Sequence, residues 1–196
     1  MNNKETFLSI TYILSGSLLL VFNDITENWM GKLLVLIGYI FYFKGLNKLV
    51  LGLDEIGKNG AKNLKTAVIL GIIAIIIDFV PIIGGVSIFF YFAAFILQLI
   101  GLIKLKKSKS TGKEGIKGIN LILIAVVIGI FQGIFDYVPF VGHSIVFLIA
   151  ILYIIFIISG WINVQRGICY SEFEPSVEAI KTIKETIKPD KKDLFN

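Results

Sequence analysis

The chain has 196 residues, of which 56% are apolar and 17% charged, and its formal net charge is +5. A soluble domain carries about 45–50% apolar and about 25% charged residues, so this chain has too few polar residues to cover a water-facing surface. The composition therefore predicts an integral membrane protein. It excludes a disulfide scaffold, because Cys169 is the single cysteine, and it argues against a nucleic-acid-binding domain or a disordered chain.

Uncharged stretches show where helices can cross a bilayer, since a hydrocarbon layer of about 30 Å requires about 20 helical residues. Four stretches satisfy this length without a charged residue: 6–23, 79–103, 118–135 and 137–165. Two further spans are needed to connect these four stretches with short loops. One contains Lys32 and Lys44, whose long side chains can reach the two interfaces, and the other ends near Asp78. We expect six helices, near residues 6–23, 30–50, 65–79, 84–103, 118–136 and 143–164.

The first of these segments has an alternative interpretation as a cleaved signal peptide. Its N-terminal region carries Lys4 balanced by Glu5, and no small-x-small cleavage site precedes the turn at Asn23 and Asp24. These features favour a retained helix.

The distribution of basic residues predicts the orientation. Every Lys and Arg except Lys32 lies in the N-terminal tail, in the second or fourth connection, or near the C-terminus. Short loops rich in Lys and Arg stay in the cytoplasm, so both termini should be cytoplasmic. The opposite turns are short and acidic; they carry Asp24, Glu27, Asp78 and Asp136. The excess of Lys over Arg and the abundance of Ile are typical of an A/T-rich genome and indicate a prokaryotic cell membrane.

Two of the outer turns share a motif. Residues 78–84 and 136–142 both read D-[FY]-V-P-x-x-G, at an offset of 58 residues, and the first turn shares the scheme only loosely. Proline disfavours a helix in the preceding residue and can begin the next one, while glycine permits a sharp bend. We therefore assign a structural role in the repeated turn to four residues: Pro81, Gly84, Pro139 and Gly142. A glycine followed by a large apolar residue is expected to close each second helix: Gly45-Leu46, Gly101-Leu102 and Gly160-Trp161.

The expected fold is an all-α integral membrane protein of three tandem helical hairpins with the same orientation. The hairpins cover about 6–50, 65–103 and 118–164 and form one transmembrane domain, 1–166. A cytoplasmic tail, 167–196, should contain a short amphipathic helix at about 175–188, because its apolar residues recur at helical spacing. That helix could lie on an anionic inner leaflet, on the bundle's own loops or on a partner protein.

Asp78, Asp136 and His143 are the strongest candidates for function, because an ionisable group within a membrane span is costly. Together they could bind a cation or pass protons; alternatively, all three are wet structural residues at the headgroup level. Three uncharged polar residues, Gln98, Asn120 and Gln132, are expected to form hydrogen bonds between helices or, alternatively, to line a pathway. The sequence contains no catalytic, metal-binding or cofactor-binding motif.

Three functional classes follow from these features. The visible features favour a non-enzymatic accessory or stress-related membrane protein. The alternative is a small-solute or ion/proton transporter or channel that uses Asp78 and Asp136 with His143. An enzyme would require a constellation of residues that the sequence does not offer. The expected partner is the lipid bilayer, with anionic inner-leaflet lipids possible and no nucleic acid, whereas protein partners and homo-oligomers stay open.

The predicted orientation can be tested at Lys58, which lies in the basic second connection. A cysteine introduced by Lys58→Cys in a Cys169→Ser background should react with a membrane-permeant maleimide in intact cells and resist an impermeant one. Permeabilised cells provide the control for reactivity. Labelling of intact cells by the impermeant reagent would contradict the orientation.

Overall fold

A computed structural model describes residues 3–25, 29–80, 84–136 and 143–170, and within these ranges the side chains of 5, 7–20, 29–80, 85–131 and 147–168. Nearly all of the described residues are helical, and none of them forms a strand. The helices are α1 (Asn3–Ile25), α2 (Trp29–Leu49), α3 (Glu55–Asp78), α4 (Ser87–Lys107), α5 (Gly112–Asp136) and α6 (His143–Tyr170). Short 3-10 turns occur at Val50–Gly52, Gly84–Val86 and Lys109–Thr111.

Among the described residues, five segments are long and apolar enough to cross a membrane: Trp29–Gly52, Glu55–Asp78, Ser87–Lys107, Lys109–Phe131 and Phe147–Ile168. In α1 the apolar segment within the described side chains is Phe7–Leu20. These helices are consistent with a multi-pass membrane protein, as the composition predicts. The six-span topology stays a prediction.

Two helices begin earlier than the sequence suggests. Helix α3 starts at Glu55 rather than near 65, and α5 starts at Gly112 rather than near 118. The expected bounds measured only the uncharged part of each segment, whereas a helix can continue through charged turns in water. Asp54 caps the added turns of α3, because its carboxylate accepts a hydrogen bond from the Gly57 amide.

The other bounds differ by less. Helix α4 starts at Ser87, after the 3-10 turn Gly84–Val86, and α6 continues to Tyr170. Helix α3 ends at Asp78, two residues before Val80 and close to its expected end. The tail helix at about 175–188 lies outside the described residues, as do Pro81, Pro139 and Gly142.

The helices associate in consecutive pairs. Most helix contacts lie within α1–α2, α3–α4 and α5–α6. The pairs meet each other through α2–α3, α4–α5 and α6–α1, and the α4–α5 contact is the smallest of the three. Each helix thus contacts chiefly two neighbours, so the six helices form a ring.

Within each pair, a glycine on the second helix lies against the backbone of a small residue on the first. A Cβ atom added to that glycine would lie 2.7 to 2.9 Å from the partner's carbonyl oxygen, closer than real Cβ atoms come. The three contacts are Gly45 to Ser9, Gly101 to Gly60 and Gly160 to Gly118. The expectation that these glycines close their helices is wrong, because each lies inside a continuing helix. Their role is to let two backbones touch.

The apolar core repeats the spacing of these contacts in all three pairs. One buried side chain follows the first-helix partner by four residues, and two others follow the glycine by one and by four residues. All of these side chains are at most 1% exposed: Ile13, Leu64, Ile122, Leu46, Leu102, Trp161, Leu49, Leu105 and Val164. The three pairs therefore use one packing scheme. It lies at the end of the bundle that carries the connections after α2 and α4.

Gly60 provides a test of this scheme. In an open helix, Gly→Ala stabilises by about 1 kcal/mol because alanine is the better helix former. In Gly60→Ala, the added Cβ would lie 2.8 Å from the Gly101 carbonyl oxygen and 2.9 Å from the Leu105 amide nitrogen. The variant should therefore lose about 1–3 kcal/mol of unfolding free energy, measured by denaturation of the detergent-solubilised protein.

Gly85→Ala is the matched control, since a Cβ there would meet nothing within 4 Å. Equal stability of the Gly60→Ala and Gly85→Ala variants would contradict the proposed contact.

Candidate functional site

Two groups of polar side chains lie at opposite ends of α3. The first, which we call the Asp78 cluster, consists of Asp78, Lys32, Phe79 and Tyr91. Asp78 is the last residue of α3, Lys32 lies in the first turn of α2 and Tyr91 in the second turn of α4. Since α3 runs antiparallel to its two neighbours, these residues meet at one end of the bundle.

The charges of the Asp78 cluster are close but not paired. The Tyr91 hydroxyl donates a hydrogen bond of 2.9 Å to Asp78 Oδ2. Lys32 Nζ lies 3.4 Å from the backbone carbonyl oxygen of Asp78 and 5.2 Å from the centroid of the Phe79 ring. In the described part of the chain the one ion pair joins Lys117 to Glu114. The Lys32 ammonium and the Asp78 carboxylate are therefore farther apart than an ion pair allows.

Tyrosines continue inward from this cluster. The Tyr39 hydroxyl lies against Gly71, where an added Cβ would come within 2.5 Å of it, so glycine makes room for this side chain of α2 on α3. Tyr42, one turn further along α2, packs edge-on against Trp161 of α6, with ring centroids 6.0 Å apart. Tyr153 packs against the same core. These tyrosines give no signal of their own in the sequence, because their contacts are with glycine and tryptophan on other helices.

The predicted site residues are only partly brought together. Asp78 lies in the cluster just described, and its carboxylate is partly accessible. Gln98 and Asn120 are half-buried in α4 and α5. The side chains of Asp136, His143 and Gln132 lie outside the described set, so the meeting of Asp78 with Asp136 and His143 stays a prediction. Gly84 lies in the 3-10 turn that precedes α4.

The second group, the Asp54 cluster, joins the connection after α2 to the connection after α4. It consists of Asp54, Ser108, Lys109, Ser110 and Thr111. Asp54 Oδ1 accepts hydrogen bonds from the Gly57 amide at 2.7 Å and the Ser108 hydroxyl at 2.8 Å. Asp54 Oδ2 accepts the Lys109 amide at 2.8 Å. In the other direction, the Asp54 amide donates to the Ser110 hydroxyl oxygen at 3.0 Å.

The hydroxyl groups of this cluster are buried and satisfied. Ser108 and Ser110 share a hydrogen bond of 2.7 Å, and the Thr111 hydroxyl donates to the Leu105 carbonyl oxygen at 2.7 Å. All three residues are at most 4% exposed. No buried side-chain nitrogen or oxygen in the described set lacks a hydrogen-bond partner. Because an unpaired buried polar group costs about 1–3 kcal/mol, this cluster stabilises only when it is complete.

The hydrogen bonds of this cluster stabilise the charged form of Asp54. Burial alone would raise the pKa of Asp54, but hydrogen bonds from Gly57, Ser108, Lys109 and Ser110 to the carboxylate outweigh it and hold the pKa below its usual value. Asp54 is therefore ionised at neutral pH and acts as an acceptor. Asp54 is not recognisable from the sequence, because a helix cap and a serine-rich loop so far apart in the chain give no joint signal.

Comparison with known protein families, curated proteins and solved structures finds no match. Among the described residues, no three His, Cys, Asp or Glu side chains come together in a group that could hold a metal ion. The features that bear on function are therefore the two clusters and the packing between them.

The Asp54 cluster predicts a specific dependence of stability on pH. Since the folded-state pKa is below the unfolded value of about 3.9, this contribution is complete above that pH and is lost as the pH falls through the folded-state pKa. Asp54→Asn should cost about 1.5–3 kcal/mol of unfolding free energy at pH 7 and flatten the pH dependence below about pH 4. Denaturation of the detergent-solubilised protein between pH 3 and pH 7 measures both effects.

Glu55→Gln is the control, because Glu55 is exposed and adjacent in sequence. If Asp54→Asn destabilised no more than Glu55→Gln at pH 7, the cluster would not be a stabilising element.

Proposed function

We propose that the protein is a non-enzymatic multi-pass membrane protein with an accessory or stress-related role, acting through packing in the bilayer and contacts at its cytoplasmic face. The observation that carries this proposal is the interior at the Asp54 end. There the largest fully buried side chains are almost all apolar, the helix pairs touch through glycine, and the buried hydroxyls are satisfied within the protein. Such an interior supports a packed bundle better than a solute pathway.

The proposed topology has six spans in three hairpins of the same orientation, with both termini in the cytoplasm. Exposed lysines near the Asp54 cluster support this orientation: Lys58, Lys62, Lys106, Lys107 and Lys109. A basic surface at one end of an apolar bundle favours contact with anionic lipids of the inner leaflet. In the described part of the chain, Lys32 alone carries a positive charge near the Asp78 end.

A transporter or channel is the second candidate. The Asp78 cluster supports it, because a partly accessible carboxylate lies beside Tyr91, and Tyr39 and Tyr42 continue toward the core. In this alternative, Asp78, Asp136 and His143 bind the ion or proton. Gln98, Asn120 and Gln132 line its path.

Flux in proteoliposomes separates the two candidates. The accessory role predicts that the purified protein conducts protons, potassium and sodium no faster than empty liposomes. It also predicts that Asp78→Asn and Asp136→Asn leave this background unchanged, with Glu55→Gln as the matched acidic control. A protein-dependent flux that either aspartate variant abolishes, while Glu55→Gln retains it, would overturn the accessory role in favour of transport.

A further inference from the structure

The Asp78 cluster holds two opposite charges that do not neutralise each other. An ionised carboxylate has about four acceptor positions and an ammonium group has three donors. Asp78 uses one acceptor position for the Tyr91 hydroxyl, and Lys32 uses one donor for the Asp78 backbone carbonyl. Within the described residues, Oδ1 of Asp78 and two donors of Lys32 therefore remain available to a ligand. A ligand with a cationic donor and an anionic acceptor would satisfy both.

The position of the cluster favours a lipid headgroup as that ligand. Asp78 is the last residue of the apolar span Glu55–Asp78, and Lys32 lies in the first turn of the span Trp29–Gly52, so both charges lie at the end of a span, where the headgroup region begins. Phe79 and Val80 lie beside the charges and are 45% and 43% exposed. Trp29, one turn before Lys32, is also largely exposed. Exposed apolar side chains next to a polar cluster fit the boundary between lipid headgroups and acyl chains, where one phospholipid presents both polar and apolar groups.

We propose that the Asp78 cluster binds a phospholipid whose headgroup carries a primary ammonium and a phosphate, as in phosphatidylethanolamine. The ammonium donates to the free oxygen of the Asp78 carboxylate, and Lys32 donates to the phosphate. Tyr91 fixes the rotamer of Asp78 through the other oxygen. This assignment goes beyond the proposed function and does not depend on it.

The same chemistry separates phosphatidylethanolamine from other lipids. The quaternary ammonium of phosphatidylcholine has no N–H group and cannot donate to Asp78. Phosphatidylglycerol offers an anion to Lys32 but no cation to Asp78. Soluble phosphoethanolamine has both charges and lacks acyl chains, so it distinguishes recognition of the headgroup alone from recognition of a membrane lipid.

Native mass spectrometry of the full chain in mild detergent tests the assignment, with phosphatidylethanolamine, phosphatidylcholine and phosphatidylglycerol of identical acyl chains. We expect phosphatidylethanolamine to be retained about tenfold better than phosphatidylcholine, the effect of one charge-assisted hydrogen bond. Asp78→Asn should remove this preference, and Lys32→Gln should lower the retention of all three lipids. Equal retention of phosphatidylethanolamine and phosphatidylcholine by the unmodified protein would overturn the proposal.

Controls keep the result interpretable. Asp78→Glu preserves the charge and should preserve the preference. Lys44→Gln, at an exposed position near the other end of α2, should change nothing. The thermal stability of each variant is measured beside its lipid retention, so that loss of binding through unfolding is recognised. If Asp78→Asn does not fold, Lys32→Gln still tests the site. Displacement of phosphatidylethanolamine by equimolar phosphoethanolamine would overturn the lipid assignment.

Discussion

Close contact between helix backbones is the constraint on which the rest of the structure depends. In a bilayer the lipid chains are as apolar as leucine, so burial of apolar surface gives helices little reason to associate, and van der Waals contact has to supply it. In each helix pair a glycine meets the backbone of Ser9, Gly60 or Gly118, which maximises that contact. The buried leucines and isoleucines around these points fit only because the backbones lie so close.

The two ends of α3 carry polar clusters, whereas the core between the helices is apolar. Asp54 fastens the start of α3 to the loop that follows α4, through hydrogen bonds with main-chain amides and serine hydroxyls. At the other end of α3, Lys32 and Tyr91 bring α2 and α4 to the Asp78 cluster. Helix α3 therefore has a carboxylate at each end; within the described residues, Asp54 accepts hydrogen bonds on both oxygens and Asp78 on one.

The sequence was sufficient for the helical class and for the approximate places of the helices, because uncharged length measures a bilayer span directly. It failed at the first turns of α3 and α5, where charged residues continue a helix that no hydrophobicity criterion can detect. It marked Asp78 only as a candidate, from the cost of a charge in a membrane. It missed Tyr91 and Asp54, since their importance comes from partners on other helices and loops. Likewise, the glycines before Leu46, Leu102 and Trp161 form a pattern that suggests helix ends, because close approach is a property of two helices and does not show in one segment.

The contact between α6 and α1 makes the order of the helix pairs along the chain partly arbitrary. Every pair meets the next through the same kind of contact, from a second helix to a first helix, and this includes the contact from the last pair back to the first. A circularly permuted chain that began with α3 and ended with α2 would contain the same pairs and the same junctions. Covalent continuity between pairs thus determines which helices are made first, and the α6–α1 contact shows that two pairs can be neighbours without a connecting loop.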